Sequence, residues 1–537
     1  MSMRYPGGLI ASTPVNAAYP SGVWTQAQTQ PYASQNVWMR DQYWRNTTLL
    51  LQGNGTNGAQ NNTFLDSSTN NFTITRNGNT TQGSFTPYEA NGYWSNYFGG
   101  SQSINAASSS SFQLTGDFTI EAWVFRTATG DASVYLQNSG ANYFALNVNA
   151  GTGFNIYLNS SGPTISPTDI VPATNVWNHV AIVRSGSTVK VYLNGVASAT
   201  TATNSSTVGY NAVAYVGGFG TNSSGSTVGY ISNVRVATSA VYTSNFTPPA
   251  APLTAISGTV FLTCQSNRFL DNSTNAFAIT RSGDTSVQAF QPFPGATTYS
   301  TTVLGGSGYF DGSGDYLTTN ATGALNIGTG DITMEAWVYI PSYPSTQNYW
   351  IVDQYANPRV SLGINTTGKI LMVGWFSIIY TSTSSVPLNS WNHVALVRRS
   401  GTWYGYLNGV DAGGSTADST NYNSTTAPQI GDNSDARTYF NGYMTDVRVT
   451  QSAVYTSAFT PPTAPLSAIA NTKLLLSYTN ASIFDTATMN DLETVGNAQV
   501  STSVVKYGTG SMAFDGTGDY LDAKRAALIP TNGNFTV

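Results

Sequence analysis

Trp177-Asn-His-Val-Ala-Ile-Val-Arg184 and Trp391-Asn-His-Val-Ala-Leu-Val-Arg398 are one phrase written twice, and they contain both histidines of a 537-residue chain. His179 and His393 lie 214 residues apart (393 − 179), and Trp123 and Trp337 keep the same spacing. Upstream, Phe64-Leu-Asp-Ser-Ser-Thr69 answers Phe269-Leu-Asp-Asn-Ser-Thr274 at a slightly shorter interval. A third copy opens at Lys473-Leu-Leu-Leu476 and reaches Phe514-Asp-Gly-Thr-Gly-Asp-Tyr-Leu521, the match of Phe310-Asp-Gly-Ser-Gly-Asp-Tyr-Leu317. Gly533–Val537 aligns with Gly330–Met334, so a natural polypeptide, or an ancestor, that continues further is expected. A repeat this long is a whole domain and not a solenoid unit. The expected organisation is an N-terminal segment at 1–47, domains at 48–258 and 259–471, and an incomplete third repeat at 472–537.

Around the repeated phrase the pattern is that of strands. Phe118, Ile120, Ala122 and Val124 alternate with Thr119, Glu121, Trp123 and Phe125, a period of two. Both faces carry bulk, which predicts a central strand covered by a sheet on one side and by loops on the other. Val189–Leu193 runs into Asn194-Gly195, and Trp403–Leu407 into Asn408-Gly409. Asn-Gly between strand-like runs signals a hairpin, because both residues accept positive φ. No segment has a comparable helical period, so the fold class is all-β. The Pro-rich stretches Phe246–Leu253 and Phe459–Leu466 read as stiff, extended spacers between beads.

Composition narrows the function. Charged residues make up 8% of the chain, while hydrophobic residues make up 40% and aromatic residues 12%, enough for cores. A net charge of −5 offers no basic stripe, which argues against nucleic-acid binding. No stretch has the apolar length of a membrane span, and Met1–Ile10 lacks the apolar region of a secretory signal. A single cysteine, Cys264, sits in an apolar run, as a buried thiol would. Manufacture in a reducing cytosol and work outside the cell are both satisfied by a virion protein released on lysis.

The ordered motifs Phe-Asp-Gly-x-Gly-Asp-Tyr-Leu (310–317), Gly-Asp-Phe-Thr-Ile-Glu-Ala-Trp-Val (116–124), the histidine phrase, Tyr-Leu-Asn-Gly (192–195) and Gly-Tyr-Ile-Ser-Asn-Val-Arg-Val (229–236) resemble the laminin-G-like, concanavalin A-like jelly roll. Copy one departs from the first motif, since Phe98-Gly-Gly-Ser-Gln102 lacks both aspartates. Ala240-Val-Tyr-Thr-Ser-Asn-Phe-Thr-Pro-Pro249 and its echo at Ala453 resemble structural proteins of tailed marine bacteriophages. That resemblance implies a non-enzymatic virion appendage or decoration protein in the fibre class. Residues 1–47 would dock it to other virion proteins, it would be a homo-oligomer, and fibres of this kind imply a trimer. The alternative is a lectin-type adhesin for a host-surface glycan.

Catalysis has little to stand on. Glycoside hydrolysis needs two facing carboxylates, yet the chain has four glutamates, Glu89, Glu121, Glu335 and Glu493, and the same-face neighbours of Glu121 and Glu335 are tryptophans. His179 and His393, one per copy, read as structural and not as zinc ligands. Asp311, Asp315, Asp515 and Asp519 stand on Gly-rich turns and read either as calcium ligands or as tight hairpins. Because residues shared by the copies serve the fold, sugar binding is sought where they differ. Copy two has Trp350, Trp375, Trp403 and Tyr404, with Asp432, Asn433 and Asp435 on an acidic loop, and these form the expected glycan-binding set.

Overall fold

The computed structural model describes residues 60–523 except 62, 67–69, 71, 79–80, 84, 86, 150, 220–224, 290–291, 294–300, 375–376, 433–438, 479–491, 496–497 and 504–510. Strand alternation becomes two β-sandwiches, each made of two antiparallel sheets. In the first, the front sheet pairs Val196–Thr203, Thr188–Leu193, Trp177–Ser185, Phe118–Arg126, Val228–Ala237, Ser95–Gly99 and Ser286–Gln288 in that order, with Thr259–Thr263 also on Val228–Ala237. Its back sheet runs Ile279–Ser282, Ser103–Ala106, Ala214–Val216, Ala132–Ser139, Asn142–Asn149 and Gly153–Ser160. The second sandwich repeats this plan around the central pair Ile332–Tyr339 and Trp391–Arg399.

All nine residues of Phe118–Arg126 are buried. Phe118, Ile120, Ala122 and Val124 enter the core between the sheets, while Trp123 and Phe125 join an aromatic cluster on the other face. The outer cover is the stretch expected to be a spacer. Phe246 stacks on Tyr242 at 3.6 Å, meets His179 edge-on, and donates its backbone N–H to the Gly195 carbonyl at 2.9 Å. The Pro-rich residues are thus a strap over the front sheet. At the hairpin beneath it, Asn194 and Gly195 have φ of 49° and 81°, the positive pair a type I′ turn requires. A Cβ on Gly195 would come within 1.8 Å of the Phe246 oxygen, so only glycine lets the strap down.

The repeat boundaries are not the folding boundaries. Ile279–Ser282 and Ser286–Gln288, expected to open the second domain, complete the first: Ile279 pairs with Ala106 and Val287 with Asn96. The equivalent early strands, Ile74–Asn77 and Thr81–Gly83, complete the second: Ile74 pairs with Thr319 and Gln82 with Gly308. The side chains follow, with Phe72 and Ile74 in the second core and Phe277 and Ile279 in the first. Asp66 accepts the Leu475 N–H in the second sandwich, as Asp271 accepts the Leu262 N–H in the first. Tyr88 lies edge-on to Trp337, as Phe293 does to Trp123. The two sandwiches have traded their closing strands, and the units 48–258 and 259–471 are corrected accordingly. The trade is sealed by Phe85, which sits 5.1–5.2 Å from Tyr339, Trp391 and Tyr443 and 6.1 Å from Trp94. The third repeat does not trade: Leu492–Val495 pairs with Tyr520–Ala523 of its own copy, and Gln499–Ser501 with Ser511–Ala513.

Candidate binding site

The repeated histidine phrase builds a closed polar node. Adjacent central strands place Glu121 and His179 side by side, and Arg235 arrives from the neighbouring strand. Glu121 Oε2 accepts from His179 Nε2 at 3.0 Å and from the Tyr242 hydroxyl at 2.8 Å, while Oε1 accepts from Arg235 Nε at 3.0 Å. Glu335, His393, Tyr455 and Arg448 repeat this at 3.1, 2.7 and 2.9 Å. Burial pushes each glutamate up, but the hydrogen bond and charge of the histidine, with the arginine and tyrosine, outweigh it and hold the carboxyl below its ordinary value. A carboxylate only accepts, so each histidine donates from Nε2. Each Nδ1 is buried without a hydrogen-bond partner. Both histidines and both glutamates are 0% exposed, so the node holds sheet to strap and offers no face to a substrate.

The aspartate turns hold themselves. Asp315 Oδ2 accepts the Asp311 N–H at 2.9 Å and Asp311 Oδ1 accepts the Ser313 N–H at 2.7 Å. Asp519 and Asp515 repeat the pattern at 2.8 and 2.7 Å. Among the described residues no group of three or more His, Cys, Asp or Glu side chains gathers as a metal would need.

The expected glycan-binding aromatics are dispersed. Trp403 is wholly buried in the second core, with Nε1 donating to Asp418 Oδ2 at 2.8 Å, so it is no stacking platform. Its bulk is accommodated because Gly405 stands beside it at the position of Val191 in copy one, and the Tyr380 ring fills the space of the missing side chain. Tyr404 is covered as well, since the Arg399 guanidinium lies 4.0 Å over its ring. In copy one the corresponding place, between Val183, Ser185, Lys190, Tyr192 and Tyr242, is an open cavity of about 200 Å³. Trp375, Asn433 and Asp435 lie outside the described residues.

Trp350 and Asp432 belong together, through two residues that sequence reading missed. Trp350 lies opposite Gly363, with the Arg359 guanidinium 4.2 Å above its ring. Arg359 Nε donates to Asp353 Oδ1 at 2.7 Å and also faces the Tyr355 ring, which is 41% exposed. Burial pushes Asp353 up to about 7 against the pull of Arg359, and Asp432 raises it further by repulsion. Asp353 Oδ2 and Arg359 Nη2 are buried with no hydrogen-bond partner, and of these residues Tyr355 is the exposed one. In copy one the strand equivalents are Leu136 for Asp353, Ser133 for Trp350 and Tyr143 for Arg359, assigned by matching ladders and bulges. A signal existed in that difference, but the offset there departs from 214, so a fixed spacing sets Asp353 against the wrong residue.

Among solved structures, the chain is similar to mouse laminin alpha1 chain domains LG4-5 (14% identity, 72% of this chain and 96% of that one, TM-score 0.25). It is also similar to domain 4 of an extracellular arabinanase from Geobacillus stearothermophilus (14%, 28% and 73%, TM-score 0.24) and to carbohydrate binding module CBM66 from Bacillus subtilis (12%, 26% and 81%, TM-score 0.19). These scores are too low to carry functional weight. No curated protein sequence matches the chain. The sequence model of the family described as the concanavalin A-like lectin/glucanases superfamily matches residues 98–244 and 311–457, the body of each sandwich. With two matches to that model that together cover more than half of the chain's length, and with a sandwich in place at each, the chain belongs to the concanavalin A-like lectin/glucanases superfamily as a tandem of laminin-G-like domains.

Proposed function

We propose that the protein is a non-enzymatic appendage of a bacteriophage virion whose second sandwich recognises a glycan on the host surface. The carrying observation is the match of both sandwiches to the concanavalin A-like lectin/glucanases family model, with the exposed Tyr355 ring beside Arg359 as an aromatic face that the second sandwich presents. A sugar ring presents C–H faces that stack on an exposed aromatic ring such as Tyr355. The glutamates offer no competing hydrolase reading, since Glu121 and Glu335 are committed to the buried node. The virion context is supported by the phage-like phrases at Ala240 and Ala453, with residues 1–47, outside the described residues, as the docking segment. Calcium has no part in this reading.

The test uses the whole chain, because a fragment of 259–471 would lack the strands at 74–83 that close its sandwich. On a panel of host-derived glycans the intact protein should bind, and Tyr355→Ala, at an exposed ring, should lose binding while melting no lower than the parent. No binding across a broad panel would end the glycan reading. Virions that still incorporate a protein lacking residues 1–47 would end the docking assignment.

A further inference from the structure

Three copies of one closing segment occur in the chain, and they close sandwiches in three different ways. Ile74–Gly83 docks forward onto Ser307–Asp311 and Tyr316–Thr319, across the whole first sandwich. Ile279–Gln288 docks backward onto Ser95–Gly99 and Ser103–Ala106. Leu492–Ser501 docks on the strands that follow it directly. The antiparallel ladder is the same each time and only the connection differs. The acceptor edge therefore recognises the segment, not the position of that segment in the chain.

We infer that this exchange also runs between chains, with residues 60–88 of one copy closing the second sandwich of another. The partner is a second copy of this protein. The inference rests on strand pairing alone and is independent of any glycan. The donor brings a full set of contacts wherever it docks: Phe64 against Tyr478, Phe72 and Ile74 into the core, Phe85 into its aromatic ring of neighbours, and the Tyr88 hydroxyl onto buried Asp446. None of these requires the donor to share a chain with its acceptor, so the closed and exchanged forms have the same contacts and differ at the connection. That is the condition under which swapping is a low-cost route to assembly. A competitor already stands beside the donor, since Leu492–Val495 lies next to Thr81–Gly83. The balance between forms is set by the effective concentration of the chain's own segment against that of its neighbours.

Thr75 and Thr318 are register partners across the donor and acceptor strands, which allows a direct test. A Thr75→Cys chain and a Thr318→Cys chain carrying a distinguishing tag are unfolded together, refolded at low and at high protein concentration, and oxidised. The expected result is a disulfide-linked pair of unlike chains that increases with refolding concentration, with matching oligomers in light scattering of the unmodified protein. The Thr75→Cys/Thr318→Cys double variant, refolded dilute, should crosslink within one chain. Crosslinks confined to single chains at every concentration would overturn the inference, and so would a double variant that forms none.

Discussion

Replacing Glu335 with glutamine separates a structural carboxylate from a functional one. The side chain is 0% exposed and accepts from Arg448 Nε and Nη2 at 2.9 and 2.7 Å, from His393 at 3.1 Å and from Tyr455 at 2.7 Å. Glutamine keeps the shape, but its NH2 must point at one set of these donors, and Arg448, 4% exposed, loses its counter-charge. Breaking a buried pair by removing one partner costs about 3–5 kcal/mol, most of it the penalty of the charge left behind. Urea unfolding followed by tryptophan fluorescence reads this directly, since Trp337 lies 5.4 Å from His393. Glu121→Gln is the internal duplicate, because the first sandwich repeats the node, and a loss of the same size is expected. A stability within about 1 kcal/mol of the parent for either variant, beyond the scatter of surface substitutions, would refute the structural assignment.

Trp403→Ala should cost about 3–5 kcal/mol in the same assay, because it empties a core position, and a variant of parental stability would place the ring elsewhere. The pH dependence has a sign. Asp353 and Asp446, which burial pushes up to about 7, hold protons in the folded state that the unfolded chain releases, so stability falls as pH rises from the ordinary aspartate value of about 3.9 to about 7 and is level above it. Glu121 and Glu335, held below their ordinary value, add stability that is present above about pH 4.3 and lost as pH falls through their folded values. The melting temperature should therefore peak near pH 5 and decline toward pH 7, and a rise over that interval would contradict the aspartate assignments. Because Asp311, Asp315, Asp515 and Asp519 accept N–H groups of their own turns, EDTA should leave the melting temperature unchanged, and a fall of several degrees would assign calcium to them.

What could be read from the sequence was whatever the chain encodes locally. The alternation of Phe118–Phe125, with bulk on both faces, led directly to a central strand buried on both sides. Asn194-Gly195 gave its hairpin, and the repetition of His179 at His393 showed it to be structural. Partner choice was not legible, because Ile74–Gly83, Ile279–Gln288 and Leu492–Ser501 carry the same pattern and nothing in a strand's own alternation names its neighbour. Divergence between copies misled at Trp403, since a change from Val189 to tryptophan is also what a core does when it repacks around a glycine at 405. At Trp350 and Asp432 it marked two residues linked through Asp353 and Arg359, a connection that needed the ladder and its bulge to be seen.

The traded strands also bear on how the protein is made. The segment around Ile74 leaves the ribosome long before Thr319, its partner, has been synthesised. At roughly 5–20 residues per second, that wait lasts on the order of ten to fifty seconds. During this time a strand with open hydrogen-bonding groups has no template, and the first sandwich is itself incomplete until Gln288 emerges. The first sandwich can close only once Gln288 has emerged and the second only once Leu476 has, and until then the edges of neighbouring nascent chains on the same polysome compete for the same segments.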